Sequence, residues 1–291
     1  MLPNTNIQTP SSAEAQPFSL GTVPSTVGRT DSRLSADVKR PEVCDVWGTD
    51  FAVLDMTGTL ELAKQVIECG VPEFFVTANL NYLMLCEQHP RLREINQHAA
   101  AVLADGQPIV TRSQYTASPL PCRVAGSDLI LELGALSARE GYRIFLLGGA
   151  PGIADSAAER LLQLNPNLQI AGTHSPPFRS VSSAEHEEML QQIRQTKPDI
   201  LLVAFGQPKG EFWIYDNLSK LQVPLSIQLG ASFDFLAGKV KRSPAVLQHL
   251  GCEWLHRAWS DPKRLIPRYA ANALFLSKLF ARDAVRLAHK S

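Results

Sequence analysis

The chain has 291 residues, 45% of them apolar, and a formal net charge of zero. Its length allows a large hydrophobic core, and its neutral balance excludes a global field that would draw it to nucleic acid. The five cysteines include no C-x-x-C pair, which argues against a zinc site or a disulfide framework and for a reducing cytosol. We find no signal pattern and no apolar run near the roughly 18 residues of a membrane span, so we expect a soluble or membrane-surface protein.

The first 44 residues are rich in Pro, Ser and Thr and poor in large apolar residues, which predicts a disordered tail. A catalytic α/β domain is expected over residues 45–250. Its first helix is predicted to be capped by Thr57 or Thr59 and to end before Gly70. Further helices are predicted over 81–88, 91–98, 127–140, 153–164 and 182–193, the last with a Ser182–Glu185 capping box.

Short apolar runs alternate with these helices, which is typical of buried parallel strands. Five runs, at 74–76, 101–104, 144–147, 200–204 and 225–229, each stop at residues of the kind that binds ligands. Ligands of open α/β sheets bind at the carboxyl ends of the strands. We therefore expect a Rossmann-like parallel-sheet core in which the five strand ends form one site.

Three polar residues at these strand ends have two interpretations each. Asp105 could be a general base, or simply a turn or helix-cap aspartate. Thr77 and Asn79 could offer a hydroxyl and an amide to a substrate, or could cap the following helix. Position alone does not decide between these interpretations.

The glycine-rich turn at 148–152 would let a ligand approach the backbone, with the N–H groups of the next helix facing an anion. It is not a G-x-G-x-x-G motif, and the following run, 168–171, leads into Gly172-Thr173-His174 rather than an acidic residue, which disfavours a dehydrogenase. His174 is expected in a loop.

No cluster in the sequence has metal-ligand spacing, so a phosphorylated ligand would need cationic side chains. The candidates are Arg123, Lys209, Lys239, Lys241, Arg242 and the C-terminal arginines, each of which could equally be a solvated surface charge.

Residues 251–291 carry eight Lys or Arg against three Asp or Glu, interleaved with apolar residues. This pattern predicts a basic, amphipathic, helical appendage that binds an anionic membrane. The alternative is that its apolar face packs on the catalytic domain or on a second copy in a homo-oligomer. Breaks are expected at Asp261-Pro262, with Pro267 as a second candidate.

Several motifs in fixed order resemble the WecG/TagA/CpsF family of bacterial glycosyltransferases, from about residue 46 to residue 275. They are VTAN at 76–79, LADG at 103–106, RVAGSDL at 123–129, GYRIFLLGGAPG at 141–152, KPDIL at 197–201, GQPK at 206–209, SFDFLAGKVKRSP at 232–244 and EWLHR at 253–257.

The resemblance implies an inverting transfer of a sugar, typically N-acetylmannosamine or its uronic acid, from a UDP donor. The acceptor would be an undecaprenyl-diphosphate-linked sugar at the cytoplasmic face of the cell membrane, and no metal or other cofactor would be required. Asp105 would be the catalytic base, with Thr77, Asn79, Arg123 and Gln207 lining the site. The appendage would complete the site with arginines, for which the counterparts are Arg257, Arg264 and Arg268. To the substrate-binding residues we add Gly148, Gly149, Lys209, Gly230 and Asp234.

Three motifs depart from the family pattern. Thr77-Ala78-Asn79 replaces the usual Thr-Pro-Asn, and the segment 174–178 departs from a glycine-tyrosine loop. Lys209-Gly210-Glu211 replaces the usual Lys-Gln-Glu, so the role of that glutamine is absent or is taken by another residue. Two alternative functions stay open: glucosyl transfer in exopolysaccharide assembly, and a non-catalytic scaffold that binds a nucleotide or lipid.

Overall fold

A computed structural model describes residues 38–176, 182–239 and 262–288 of the chain. Most of the predicted N-terminal tail, the basic residues Lys241 and Arg242, and Arg257 lie outside these ranges, as does the side chain of Arg264. The predicted domain boundaries at residues 45 and 251 therefore stay predictions. The first described strand begins at Val43.

Six parallel strands form the main sheet, in the order β4-β3-β8-β7-β5-β6. The strands are β3 (Glu73–Ala78), β4 (Ala101–Ala104), β5 (Arg143–Gly148), β6 (Gln169–His174), β7 (Ile200–Ala204) and β8 (Leu225–Gln228). The five predicted apolar runs are thus strands, and the predicted α/β fold with a parallel-sheet core is confirmed. One further pair, β1 (Val43–Val46) and β2 (Thr49–Ala52), forms a separate antiparallel hairpin that the sequence did not lead us to expect.

Both faces of the sheet are covered, which explains the continuous apolar runs. In β3, Phe74 and Val76 belong to one core cluster and Phe75 to the other. In β5, Phe145 and Leu147 alternate with Ile144 and Leu146 in the same way. Because successive side chains point to opposite faces, a strand buried on both sides shows no polar alternation.

The described helices of the α/β domain include the six predicted from the sequence and three more, at 107–113, 209–221 and 232–236, that were not predicted. They are α1 (Met56–Cys69), α2 (Leu80–Gln88), α3 (Pro90–His98), α4 (Gln107–Ser113), α5 (Gly126–Glu140), α6 (Ile153–Leu164), α7 (Ser183–Thr196), α8 (Lys209–Leu221) and α9 (Ser232–Leu236). The Ser182–Glu185 capping box of α7 is confirmed.

The predicted cap of α1 is wrong. Asp55 is the N-cap, and its carboxylate accepts a hydrogen bond of 2.7 Å from the Gly58 backbone nitrogen. The Thr59 side chain instead turns back within the helix, where its hydroxyl donates to the Asp55 carbonyl at 2.7 Å. Aspartate and threonine are both good cap residues, and the one that precedes the first turn takes the position.

The C-terminal helix α10 (Pro262–Ala288) confirms the predicted helical appendage but continues through Pro267, so the candidate break there is wrong. The helix docks on the rest of the chain through Asp283, which accepts hydrogen bonds from Trp47 at 2.9 Å and from Arg112 at 2.6 Å. Phe275 and Leu279 are buried in the same contact. A proline costs one backbone hydrogen bond, and this packing offsets that cost.

Candidate functional site

The carboxyl ends of the five predicted strands lie side by side, as the sequence analysis expected. Their last residues are aligned across the sheet, with Ala78 of β3 opposite Ala104 of β4 and Gly148 of β5 opposite Ala204 of β7. Gln228, at the end of β8, lies between β3 and β7. The turns that follow these strands therefore open on one edge of the sheet.

Thr77 lies at the centre of this edge. Its side chain is buried, and its hydroxyl donates to the Gln228 carbonyl at 3.0 Å. Its own carbonyl accepts a hydrogen bond of 2.9 Å from the side-chain amide of Gln207. Thr77 thus joins the ends of β3, β8 and β7, and its hydroxyl is part of the framework beneath the site.

Asn79 caps α2, because its side-chain oxygen accepts a hydrogen bond of 3.1 Å from the Tyr82 backbone nitrogen. The structural interpretation of this residue is therefore correct. Asn79 is also half-buried at the site edge. Since the cap uses the oxygen, the NH₂ group is the part of the side chain that can donate to a ligand.

Asp105 lies beside these residues. Its backbone nitrogen donates to the Ala78 carbonyl at 2.9 Å, and its side chain is partly exposed. Gly106 is the N-cap of α4. It lies close to Asn79, since a Cβ at position 106 would be 3.7 Å from the Asn79 Cα. Asp105 and Asn79 therefore belong to one wall of the site, with Asp105 one residue before the cap of α4.

Arg123 enters the same region from the segment that precedes α5. The backbone nitrogen of the next residue, Val124, donates to the Ala104 carbonyl at 2.9 Å. This bond fixes Arg123 close in space to the end of β4, where Asp105 follows. Arg123 is half-buried, and it can bring positive charge to the region of the aspartate.

The glycine turn after β5 packs tightly against β7. Gly148 has a φ of 108°, and a Cβ at this position would lie 2.8 Å from the Ala204 carbonyl oxygen. The Gly149 nitrogen donates to that same carbonyl at 3.1 Å. A side chain at Gly148 would therefore collide with the neighbouring strand. Gly148 is buried, and Gly149 is half-buried.

The turn after β7 brings Gln207 and Lys209 to the site edge. Gln207 reaches across to β3, as described above, and Lys209 is the first residue of α8. After β8, Gly230 has a φ of 51° and leads into α9, which carries Asp234. These four predicted residues thus lie in the turns that follow β7 and β8 or in the first turns of the helices after them.

Of the three C-terminal arginines predicted to complete the site, the structure describes the side chain of one. Arg268 is exposed on α10. A cavity of about 250 Å³ lies where α10 meets the β1–β2 hairpin, and Trp47, Arg93 and Arg282 are among its lining residues. None of the predicted site residues lines this cavity, so it is separate from the strand-end site.

His174 is the last residue of β6 and not a loop residue, so that expectation is wrong. Burial lowers the pKa of its imidazole, against the opposing charge of Glu188. The strand is at the edge of the sheet, and β7 and β5 separate it from β8. His174 is therefore not among the residues that surround Thr77.

Sequence reasoning missed two polar residues beneath the site. Gln228 is 1% exposed, and Glu211 in the first turn of α8 is also buried. Neither carboxylate oxygen of Glu211 has a hydrogen-bond partner among the described residues. Burial raises the pKa of Glu211 to about 8. Gln228 lies in an apolar run and Glu211 in an amphipathic helical pattern, and neither pattern signals that the polar group is buried.

The described ranges share two general properties. No group of three or more His, Cys, Asp or Glu side chains there is placed to hold a metal ion. In the same part of the chain, no helix has the length and apolarity needed to cross a membrane.

Comparison with known proteins adds a family match. The model of the family described as glycosyl transferase WecG/TagA/CpsF matches residues 44–289. The chain is also similar to proteins of Staphylococcus aureus strains MW2 and NCTC 8325 / PS 47, both named N-acetylglucosaminyldiphosphoundecaprenol N-acetyl-beta-D-mannosaminyltransferase. Each is 29% identical over 240 residues, which cover 81% of this chain and 91% of the relative.

Proposed function

The chain belongs to the WecG/TagA/CpsF family of glycosyl transferases, and we propose that it transfers N-acetylmannosamine from a UDP donor to undecaprenyl-diphosphate-linked N-acetylglucosamine. The names of the staphylococcal relatives support this sugar and this acceptor. The observation that carries the proposal is that Asp105, Asn79 and Arg123 lie together at the carboxyl ends of β3 and β4. Such an arrangement offers a base, a hydrogen-bond donor and positive charge within one site.

Asp105 is the proposed general base. An inverting transfer needs a base that takes the proton of the acceptor hydroxyl while that oxygen attacks the anomeric carbon from the side opposite the leaving UDP. Asp105 is partly exposed at the end of β4, next to the Asn79 cap. Its carboxylate can therefore face a bound sugar, and the NH₂ group of Asn79 can orient that sugar.

The departing diphosphate needs positive charge or N–H donors in place before reaction. We propose that Arg123 and Lys209 supply this charge, together with arginines of the C-terminal region. Arginine can bind phosphate oxygens through two parallel N–H bonds, which a metal ion would otherwise hold. The proposed reaction is therefore independent of a divalent cation.

We further propose that α10 holds the protein on the cytoplasmic face of the cell membrane, where a lipid-linked acceptor resides. The helix carries six Lys or Arg and one Asp. Four of its large apolar residues are exposed, although others pack inward: Ile266, Leu274, Phe280 and Val285. An exposed apolar surface beside basic residues is typical of helices that lie in the membrane interface.

The direct test is release of UDP from a panel of donors in the presence of a short-chain polyprenyl-diphosphate-GlcNAc acceptor. The panel contains UDP-N-acetylmannosamine, its uronic acid and UDP-glucose. We expect turnover with UDP-N-acetylmannosamine that depends on the acceptor. Turnover with UDP-glucose instead would favour exopolysaccharide assembly, and UDP binding without turnover of any donor would favour a non-catalytic scaffold.

A further inference from the structure

Gln228 connects three strand ends through two different parts of the residue. Its backbone carbonyl accepts the Thr77 hydroxyl. The side-chain amide is oriented so that both of its polar atoms have a hydrogen-bond partner. Its nitrogen donates to the Val203 carbonyl at 2.5 Å, and its oxygen accepts from the Gly206 nitrogen at 3.0 Å. The side chain therefore binds the start of the turn that carries Gln207.

These bonds close a ring around the centre of the site. Gln228 binds the backbone at Gly206, the adjacent Gln207 donates to the Thr77 carbonyl, and the Thr77 hydroxyl returns to Gln228. Gln228 is 1% exposed, so water cannot replace its amide when that group is lost. Buried networks of this kind hold their members in one arrangement.

Gly210 packs directly against the amide of Gln228. A Cβ at position 210 would lie 2.5 Å from the Cδ of Gln228 and 2.5 Å from the amide atom that is the nitrogen in this orientation. Gly210 is in the first turn of α8, where any side chain would point into that space. The amide of Gln228 thus fills the volume into which a residue-210 side chain would extend.

We propose that Gln228 is a positioning residue for the donor site, and that its amide replaces, from β8, the glutamine that the family motif carries at position 210. Gln228 holds the turn at Gly206, and through that turn it fixes Gln207 against Thr77. The glycine at 210 and the glutamine at 228 are then one coupled feature. This inference rests on the proposed function, because the positioned residues belong to the proposed donor site.

The test exchanges the two residues. Gln228→Gly, Gly210→Gln and the double variant are compared with the full-length wild type, and Gln191→Ala, on the exposed surface of α7, is the control. Two quantities are measured: the exchange rate of the Gly206 backbone amide, and KM and kcat for the UDP-sugar donor. The first needs no activity, so it tests Gln228 even if the wild type transfers no sugar, an outcome that would instead refute the proposed function.

We expect Gln228→Gly to speed exchange at Gly206 by about tenfold or more, since a buried hydrogen bond is lost. The donor KM should rise more than kcat falls. Gly210→Gln should be impaired by the collision, and the double variant should recover most of both losses, because residues in contact are not additive. Unchanged exchange at Gly206 in Gln228→Gly, or a double variant with the summed losses of the two single variants, would overturn the inference.

Discussion

The side-chain amide of Gln207 donates to the backbone carbonyl of Thr77 at 2.9 Å, across 130 residues of sequence. This bond joins the turn after β7 to the end of β3, although β8 lies between the two strands. The Thr77 hydroxyl completes the connection by donating to Gln228 of β8. The framework of the site therefore depends on a threonine that makes one bond through its side chain and another through its backbone.

Thr77→Val should destabilise the fold by about 1–3 kcal/mol, because it leaves the buried Gln228 carbonyl without its donor. Thr77→Ser keeps the hydroxyl and is the matched control, with a smaller loss expected from the missing methyl group. Urea unfolding of the three proteins measures the difference. Equal stability of the valine variant and the wild type would show that the hydrogen bond contributes nothing to the framework.

Asp105→Asn should lower turnover by about 10²–10⁴-fold, the usual contribution of a positioned general base. UDP binding should stay close to that of the wild type, because the proposed role concerns the acceptor hydroxyl and not the diphosphate. Steady-state kinetics and calorimetric titration with UDP measure the two effects separately. A variant with near-normal turnover would remove Asp105 from the role of base.

Glu211→Gln should stabilise the protein at alkaline pH. The folded-state pKa of Glu211 is about 8 against an ordinary value of 4.5, so the folded protein holds this proton more tightly than the unfolded chain. Its contribution to stability is complete below about pH 4.5 and is lost as pH rises through 8, with a slope of up to about 1.4 kcal/mol per pH unit.

The measurement for Glu211 is urea unfolding at pH 5 and at pH 8.5. The difference in the free energy of unfolding between variant and wild type should be larger at pH 8.5 than at pH 5. Glu73, whose pKa burial raises to about 7, gives the wild type a slope of the same sign, but it is present in both proteins and cancels. A gap that is the same at both pH values would contradict the buried, protonated state of Glu211.

Leu274→Glu should weaken binding to vesicles that contain phosphatidylglycerol by roughly tenfold or more, because it removes apolar surface from α10 and adds a negative charge. Leu274 is 61% exposed, so the change should leave the fold intact. Leu164→Glu, at an exposed leucine of α6, is the control. If vesicle binding persists while a dimer dissociates, the exposed face of α10 would belong to a contact between copies.

Much of this site could be predicted because its positions follow from the sheet. Buried parallel strands have a distinct apolar signature, and the residue after each run must then lie at the carboxyl edge. Asp105, Thr77 and Gln207 are all of this kind. The sequence did not show which strands are neighbours, and so it did not show that Thr77 bonds to Gln228 and Gln207.

The missed features depend on tertiary packing. Glu211 looks like a surface residue of an amphipathic helix until α8 is placed on the sheet. Gln228 lies inside the apolar run 225–229, which does not show where its side chain points. Gly210 differs from the family motif only by the absence of a side chain, which does not show what fills the space. Pro267 was expected to end a helix by its local chemistry, whereas α10 is stabilised by contacts far away in sequence, such as that of Asp283 with Arg112.

The central claim is tested most directly by the linkage in the product. Wild-type protein is incubated with UDP-N-acetylmannosamine and a short-chain polyprenyl-diphosphate-GlcNAc acceptor in EDTA, and the product is analysed by NMR. The account predicts a disaccharide with a β-linked N-acetylmannosamine, formed together with one equivalent of UDP. An α-linked product, or transfer that appears only after magnesium or manganese is added, would contradict it.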